Sequence, residues 1–262
     1  MKNKSLVGSS TTRREFLQGA SITFVVGATG IIGACSTNSD NALTELQSSA
    51  AANKEISPNA WVTISADDSI TIMFAGTEMG QGSMTTLPLV LAEELDANWE
   101  NVQVDIVSVH DPIYGNPIRY TYYGFPILYT AGSRTLEAYY PVMRQAGAQA
   151  RKFLLDAVAV EWGVSVSTLK TELSQVIHIE SGRTLSYGQI TALAEVPVSL
   201  PSVDESEYKS QDQFRYLGKD ITRVDVPGKS DGSAQFGIDA QVPGMVYASV
   251  LRAPVEGENP LN

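Results

Sequence analysis

The segment best suited to chemistry is a glycine-rich stretch, Gly76–Thr85, which reads Gly-Thr-Glu-Met-Gly-Gln-Gly-Ser-Met-Thr. Gly80 and Gly82 allow close approach of the backbone and positive φ angles. Gln81 lies between them and offers both a donor and an acceptor to a polar ligand. Backbone N–H groups at a helix start, together with a hydroxyl such as that of Thr85, form a site for an anion. The segment predicts a loop that holds a phosphate or the edge of a heterocycle, and a turn that merely connects two elements is the equal alternative.

Few other side chains are suited to catalysis or metal binding. The chain has two histidines, His110 and His178, and one cysteine, Cys35. An ordinary closed zinc site takes four ligands, so these three residues cannot form one. The spacing of the histidines is not typical of a catalytic triad either. Glu78 lies two residues before Gly80, and we interpret it as a structural residue rather than a general base.

The overall composition limits the class of partner. The 262 residues include 18 lysines and arginines against 29 aspartates and glutamates, which gives a formal charge of −11. Binding to phosphates of a nucleic acid needs a basic surface, so the acidic chain argues against a nucleic-acid partner. With 43% apolar residues, the chain has enough material for a packed core.

Hydrophobic periodicity predicts the elements on either side of the glycine-rich segment. Residues 61–64 and 69–74 alternate and are rich in β-branched side chains, which predicts a hairpin. Residues 84–95 have apolar side chains at helical spacing, and Pro88 is tolerable there only in the first turn. Residues 102–107 alternate again. A strand, a turn, a helix and a strand in this order predict an α+β fold.

The remainder of the chain predicts a second group of elements. We expect a long helix over 136–162 that ends at Gly163, a short helix over 166–173, a hairpin over 175–186, a helix over 187–194, and short strands and turns without a helix after residue 211. A final strand close to the last residue would have an unpaired edge. From this pattern we expect the chain to be the first piece of something longer.

The first 35 residues have the composition of an export signal. Four basic residues precede an uncharged run of small and apolar residues, which is typical of secretion signals. Residues 12–17, Thr-Arg-Arg-Glu-Phe-Leu, resemble the twin-arginine export motif, with an ordinary signal or a bare membrane anchor as the alternative. Residues 32–35, Ile-Gly-Ala-Cys, resemble a lipoprotein cleavage box. Cys35 is therefore a candidate lipidation site that would anchor an exported, periplasmic protein to a membrane, and a free cysteine beside a conventional cleavage site is the alternative.

The amino-acid sequence of the glycine-rich segment resembles a segment of a known family. Glu-Met-Gly-Gln-Gly followed by a threonine, within 78–85, resembles the pterin-binding segment of the xanthine dehydrogenase and aldehyde oxidase family. Residues 87–96, with Trp99 and 102–104, look like the branch formed by the beta subunits of isoquinoline 1-oxidoreductases. Residues 218–248 resemble the opening of the a/b hammerhead domain, which follows the pterin-binding segment in that branch.

This resemblance implies the catalytic subunit of an exported molybdenum hydroxylase that oxidises N-heteroaromatic compounds or aldehydes with water as the oxygen source. In the family, molybdenum is bound by molybdopterin in its cytosine dinucleotide form and not by protein side chains. Electrons leave through a small [2Fe-2S] subunit, and a cytochrome is a further candidate acceptor. The alternative from another functional class is a non-catalytic exported lipoprotein that acts as a binding module.

Carried over residue by residue, the resemblance implies cofactor contacts for Gly80, Gln81, Gly82 and Thr85. The general base of the family lies in a late segment that this chain does not contain, so we expect no catalytic residue here and no activity of the chain alone. Residues 130–134 resemble a second family segment ahead of the long helix. They lack one of its two adjacent glycines, which weakens a cofactor role for this segment.

The predicted domain organisation has five parts. They are a twin-arginine signal with a lipoprotein box (1–35), a flexible linker rich in Ser, Thr, Asn and Ala (36–56), a molybdopterin-binding-like segment (57–196), a second linker (197–211) and the start of a hammerhead domain (212–262).

Overall fold

The computed structural model describes residues 55–108, 111–118, 124–125, 127–196, 200–252 and 254–257. The predicted export signal with Cys35, most of the first predicted linker, and His110 lie outside these residues. Within the described ranges, no helix has the length and apolarity needed to cross a membrane.

The main sheet has four strands that lie side by side in chain order: β1 (Glu55–Asn59), β2 (Val62–Ser65), β3 (Ile70–Phe74) and β4 (Val102–Ile106). The first three strands pair antiparallel, whereas β4 runs parallel to β3. The predicted hairpin is β2–β3, and the predicted strand over 102–107 is β4. Both predictions are confirmed. The alternation of β3 places its first, third and fifth residues in the core.

Strand β1 differs from the expectation of a flexible linker up to residue 56. Ile56 is buried and pairs with Ile64 of β2. Residues 57–59 are Ser, Pro and Asn, which show no alternation and are types that do not favour strands. The strand forms because β2 offers an edge with which it pairs, and this tertiary cause leaves no periodic pattern in the sequence.

Helix α1 (Ser83–Leu95) connects β3 to β4 and so forms a parallel β-α-β crossover. It confirms the helix predicted over 84–95. The expectation that Pro88 lies in the first turn is wrong, because Pro88 is in the second turn and the helix continues through it. Leu87, Leu91 and Leu95 are fully buried. Burial of these three side chains offsets the hydrogen bond that the proline cannot make.

Helix α2 (Arg134–Trp162) packs along α1 and confirms the long helix predicted over 136–162. The two helices approach closely at Gly147, where a Cβ atom would lie 2.5 Å from the carbonyl oxygen of Leu91. Gly163 ends α2 in the left-handed conformation (φ 65°), as the sequence predicts. The helix pair covers one face of the sheet and buries the apolar side of α1.

The second sheet has three antiparallel strands: β5 (Leu169–Glu172), β6 (Gln175–His178) and β7 (Thr184–Ser186). Helix α3 (Tyr187–Leu193) follows, with a capping box between Ser186 and Gln189. The hairpin over 175–186 and the helix over 187–194 are confirmed.

The short helix predicted over 166–173 is wrong, because this stretch contains one turn of 3₁₀ helix (Val166–Thr168) followed by β5. Leu173 and Ser174 both have positive φ angles (47° and 62°), which produces a two-residue turn into β6. Ser174 is held there by the carbonyl oxygen of Asp96, which accepts its backbone N–H at 2.8 Å. A contact between segments so far apart in the chain is not visible in local periodicity.

The described residues after 200 form turns, three single turns of 3₁₀ helix and one short α-helix, α4 (Val226–Asp231), and no strand. The expectation of short strands without a helix in this region is therefore wrong. Pro227 at the start of α4 and Gly232 in the left-handed conformation at its end are favourable helix-boundary residues. The apolar stretch over 245–251 is largely exposed, and it has no neighbouring segment in the described ranges to complete a strand ladder.

Candidate functional site

The glycine-rich segment connects β3 to α1, as the sequence predicts. Gly80 and Gly82 have φ angles of 100° and 83°, which other residues rarely adopt. A Cβ atom at Gly80 would meet no atom within 4 Å, so conformation rather than crowding requires glycine there. Gly82 is the N-cap of α1, and no side-chain hydrogen bond from this position caps the helix. The N–H groups at the start of α1 therefore need an acceptor from another residue.

The carboxylate of Glu78 accepts hydrogen bonds from backbone N–H groups that the sequence predicts to bind an anion. Its Oε1 accepts hydrogen bonds from the backbone N–H groups of Gly80 (2.7 Å) and Gly82 (3.0 Å), and its Oε2 accepts one from Met84 (3.0 Å). Burial raises the pKa of Glu78, but these three hydrogen bonds outweigh that effect and hold the pKa below its usual range. Glu78 is thus a structural anion at the positive end of α1, which agrees with the structural role inferred from the sequence.

The side chain of Gln81 folds back over its own loop. Its Oε1 accepts the N–H of Met79 at 2.6 Å, while its Nε2 donates to the carbonyl of Thr77 at 2.8 Å and to the hydroxyl of Ser83 at 2.6 Å. Both amide hydrogens are therefore used, and one lone pair of Oε1 remains for a ligand. The side chain therefore stabilises the loop and leaves one acceptor available to a ligand.

Between residues 79 and 84 of the loop, two N–H groups have no acceptor within the described part of the chain. They belong to Gln81 and Ser83, whereas the other four N–H groups bond to the side chains of Glu78 or Gln81. Ser83 is only 2% exposed. Gln81 is exposed, so its N–H is the one of the two that a polar ligand can reach.

The loop and α1 face a second segment, residues 216–223, across a cleft of about 290 Å³. We call this second segment the wall. The cleft is lined on one side by Gln81, Gly82, Thr85, Thr86 and Leu89, and on the other by Tyr216, Leu217, Gly218, Lys219, Ile221 and Arg223. Its volume lies near the lower limit, roughly 300 Å³, of pockets that bind small molecules.

Arg223 joins the wall to the glycine loop. Its Nη1 donates to the carbonyl of Gly80 at 2.9 Å, and its Nη2 donates to Oε1 of Glu78 at 3.2 Å. The same guanidinium makes a bidentate pair with Asp225, at 2.9 Å and 2.6 Å. Hydrogen bonds from Arg223 and Lys229 hold the pKa of Asp225 far below its usual range. Asp225 is therefore the fixed counter-ion that orients Arg223 toward the loop.

The structure brings the predicted cofactor residues into one place. Gln81, Gly82 and Thr85 line the cleft, and Gly80 lies on the same loop, where its carbonyl is bonded to Arg223. The hydroxyl of Thr85 accepts the N–H of Val224 at 3.0 Å, so it also fastens the wall. Contact of these four residues with a cofactor stays a prediction.

Two other motifs from the sequence have clear positions. The hydroxyl of Thr130 accepts the backbone N–H of Thr77 at 3.0 Å, which places the second family-like segment beside the glycine loop. His178 ends β6, and its Nδ1 lies 2.7 Å from the hydroxyl of Ser181 in the hairpin turn. In the described ranges, no group of three or more His, Cys, Asp or Glu side chains is arranged to hold a metal ion.

Comparison with known proteins identifies the family. The model of the molybdopterin cofactor-binding domain matches residues 11–239, which is most of the chain. The chain therefore belongs to the molybdopterin cofactor-binding domain family. This finding and the relatives described next confirm the resemblance drawn from the sequence, and the mixed helix and sheet structure confirms the α+β class.

Three curated relatives share this similarity. The chain is 37% identical to the beta chain of isoquinoline 1-oxidoreductase of Brevundimonas diminuta, over 78% of this chain and 29% of that protein. It is 28% identical to a membrane-bound aldehyde dehydrogenase (pyrroloquinoline-quinone) of Gluconacetobacter polyoxogenes, over 94% of this chain and 30% of that protein. It is 29% identical to a nicotinate dehydrogenase subunit of Pseudomonas putida strain KT2440, over 74% and 15%. The chain thus spans less than a third of the length of each relative. The five-part domain organisation, including the hammerhead, stays a prediction.

The residues of the cleft fit part of a molybdopterin. The free N–H group of Gln81 and the remaining lone pair of its Oε1 offer one donor and one acceptor to the polar edge of a pterin ring. Leu89 and Leu217 supply apolar contacts, and Lys219 supplies positive charge. The volume suits a ring system rather than a whole dinucleotide.

Sequence reasoning missed the functional importance of Arg223. The sequence pattern places Arg223 only within a hammerhead-like stretch, far from the loop. Its contacts with Gly80 and Glu78 span 143 and 145 residues. The local spacing of Arg223, Asp225 and Lys229 was the one available signal, because it is typical of a paired, oriented arginine.

Proposed function

We propose that this chain supplies part of the molybdopterin cradle in the catalytic subunit of a molybdenum hydroxylase, which oxidises N-heteroaromatic compounds or aldehydes with water as the oxygen source. The observation that carries the proposal is the cleft beside the β3–α1 loop, which is lined by Gln81 with its acceptor-free N–H and by Gly82 and Thr85. Membership of the family supports the cofactor. The names of the three relatives support the two substrate classes.

The residues of this chain bind and orient the cofactor. When bound, the molybdenum cofactor supplies the two-electron oxidation. Gln81 holds the polar edge of the ring through hydrogen bonds, and Leu89 and Leu217 keep water from its faces. Glu78 transfers no proton in this account, because three backbone N–H groups and Arg223 occupy its carboxylate.

Bound pterin and molybdenum are the direct test. We would express the full-length gene product in a host that makes molybdopterin, then measure molybdenum by elemental analysis and pterin by fluorescence. We expect both in stoichiometric amounts in the wild type and in the control Gln103→Ala, whose side chain is exposed on β4. Gln81→Ala should lose most of the pterin, because the loop loses three hydrogen bonds and one ligand acceptor. Folded wild-type protein without metal or pterin would instead favour the non-catalytic binding module.

We also propose the finer features of the assembly. The cofactor is the cytosine dinucleotide form, and electrons pass to a small [2Fe-2S] subunit, with a cytochrome as a further acceptor. The names of two relatives, which designate them as subunits, support an enzyme of several chains. Isolation of the intact complex and analysis of its iron content and released nucleotide test these features; an iron-free complex would rule out the iron–sulfur partner.

Export by the twin-arginine route to the periplasm, with a membrane anchor at Cys35, completes the proposal. The Thr-Arg-Arg-Glu-Phe-Leu sequence and the residues before Cys35 support it. Replacement of both arginines, Arg13→Lys with Arg14→Lys, should block appearance in the periplasm. Unchanged periplasmic protein would remove the twin-arginine claim, and the absence of lipid on Cys35 in mass spectra would remove the anchor.

A further inference from the structure

A second carboxylate collects backbone N–H groups near the other end of α1. Glu93 accepts the N–H of Arg215 at 3.0 Å to each of its oxygens, and its Oε2 accepts the N–H groups of Tyr216 at 2.6 Å and Leu217 at 3.2 Å. Its side chain is fully buried, with Nζ of Lys209 at 3.4 Å as the counter-charge. Three successive N–H groups directed at one carboxylate form an anion-binding nest, here filled by the protein itself.

The residues of this nest continue directly into the wall of the cleft. Tyr216 and Leu217 both line the cleft. The wall is therefore held at two ends: at its beginning by Glu93 and by the hydroxyl of Tyr216, which bonds to the backbone just after α1, and at its end by Arg223 together with the Val224 N–H. The segment between these ends is mostly exposed. The wall keeps its distance from α1 only while both of its ends are bound.

A neighbouring glutamate, Glu94, makes it possible to distinguish the effect of releasing the wall from the effect of losing a buried charge. Glu94 is almost as buried as Glu93 (1% exposed) and is also paired with basic residues. Its partners are Arg144, Arg151 and the backbone N–H of Lys209, and it makes no hydrogen bond to residues 215–217. Loss of its charge therefore disturbs the core without releasing the wall.

We propose that Glu93 is a positioning residue, which holds the wall of the cleft at the distance from α1 that the ligand requires. The identity of that ligand as molybdopterin rests on the proposed function, whereas the attachment of the wall does not. The carboxylate acts through the backbone of residues 215–217 and does not line the cleft.

Hydrogen–deuterium exchange of the full-length chain tests the attachment. Glu93→Gln replaces one carboxylate oxygen by an NH₂ group, which cannot accept the N–H groups that face it. We expect exchange at residues 215–217 to be roughly tenfold faster or more than in the wild type, while Glu94→Gln leaves this segment unchanged. Equal exchange at 215–217 in Glu93→Gln and the wild type would overturn the proposal. If Glu93→Gln does not fold, the shorter carboxylate of Glu93→Asp should still make exchange at residues 215–217 faster than in the wild type, and equal rates would overturn the proposal.

Pterin content tests the positioning role. In folded protein from a host that makes molybdopterin, Glu93→Gln should retain severalfold less pterin than Glu94→Gln. Faster exchange at 215–217 with unchanged pterin would overturn the role of Glu93 in the cleft. A wild-type chain without pterin would overturn the proposed function and this role with it, and the exchange rates would still decide whether Glu93 fastens the wall.

Discussion

Glu78 and Glu93 both bind three backbone N–H groups, but the two sites are built differently. The N–H partners of Glu78 lie within six residues of it, so this carboxylate shapes the loop to which it belongs. The partners of Glu93 lie 122 to 124 residues further along the chain. The same interaction therefore forms a local loop in one case and joins two distant segments into a cleft in the other.

The surroundings of the two carboxylates differ as well. The Glu93 side chain is fully buried beside Lys209, whereas Glu78 is 7% exposed and its charged partner Arg223 is 35% exposed. A buried anion depends more on its partners, since water cannot replace them. We therefore expect changes at Glu93 to have larger effects than changes at Glu78.

The largest effect is expected for Glu93→Ala. This change leaves three buried N–H groups without their acceptor and removes one of the two carboxylates that pair with Lys209, the other being Asp96. It should lower the free energy of unfolding by about 3–5 kcal/mol. Urea unfolding followed by circular dichroism measures it. A loss no larger than that of Glu78→Ala would contradict the distinction between the two sites.

Glu78→Ala should have a smaller effect, of about 1–2 kcal/mol on the free energy of unfolding, which is typical of the loss of a helix-capping side chain. Water can reach the loop and replace part of the lost hydrogen bonding. The same urea experiment measures this change, with Glu137→Ala, exposed in the first turn of α2, as the control. A loss above that of Glu93→Ala would show that the loop, and not the wall, is the critical attachment.

Acid should weaken the Glu93 site in a defined direction. Burial raises the pKa of Glu93, but the N–H groups of 215–217 and the charge of Lys209 outweigh this and keep the pKa below the ordinary value of 4.5. The contribution to stability is therefore complete above that value and is lost as the pH falls through the lower folded pKa. Between about pH 6 and about pH 3.5, the wild type should lose more unfolding free energy than Glu93→Gln.

The groups around Glu93 define the control for this pH experiment. Lys209 faces it directly, Glu94 and Asp96 lie at the same end of α1, and Arg144 and Arg151 approach from α2. Because Glu94→Gln retains Glu93, its unfolding free energy should still fall as the pH is lowered. Parallel pH profiles for the wild type and Glu93→Gln would show that Glu93 does not contribute to acid sensitivity.

The smallest effect is expected at an exposed carboxylate with a local partner. Glu172 pairs with Lys170 at 2.9 Å, and both side chains are about half exposed. Glu172→Gln should leave the urea midpoint unchanged within error, because exposed ion pairs contribute little. A clear shift of the midpoint would mean that exposure is a poor guide to the ranking of carboxylates in this protein.

The sequence predicts those parts of the molecule that depend on neighbouring residues. The β2–β3 hairpin, the glycine loop, α1 and α2 follow from alternation, helical spacing and Gly163. Strand β1 and the turn at Leu173–Ser174 do not follow, because each depends on a contact with a distant segment. The position of the loop residues Gln81 and Gly82 was predictable for the same local reason.

The opposite side of the cleft was not predictable in this way. Glu93 resembles an ordinary helical glutamate, and only its contacts with residues 215–217 reveal its role. The side chain of Gln81 also differs from the expectation that it points to a ligand, since it bonds mainly to its own loop. Residue spacing does not show whether a side chain such as that of Gln81 bonds to its own loop or to a ligand.

The most direct measurement is hydrogen–deuterium exchange of residues 81–83 in the full-length protein, isolated with and without molybdopterin. Among them, Gln81 lines the cleft and has an N–H group without an acceptor in the described ranges. We predict fast exchange at Gln81 in pterin-free protein and strong protection when the pterin is bound. Equal exchange in the two forms, with pterin present in stoichiometric amounts, would show that the cofactor binds elsewhere.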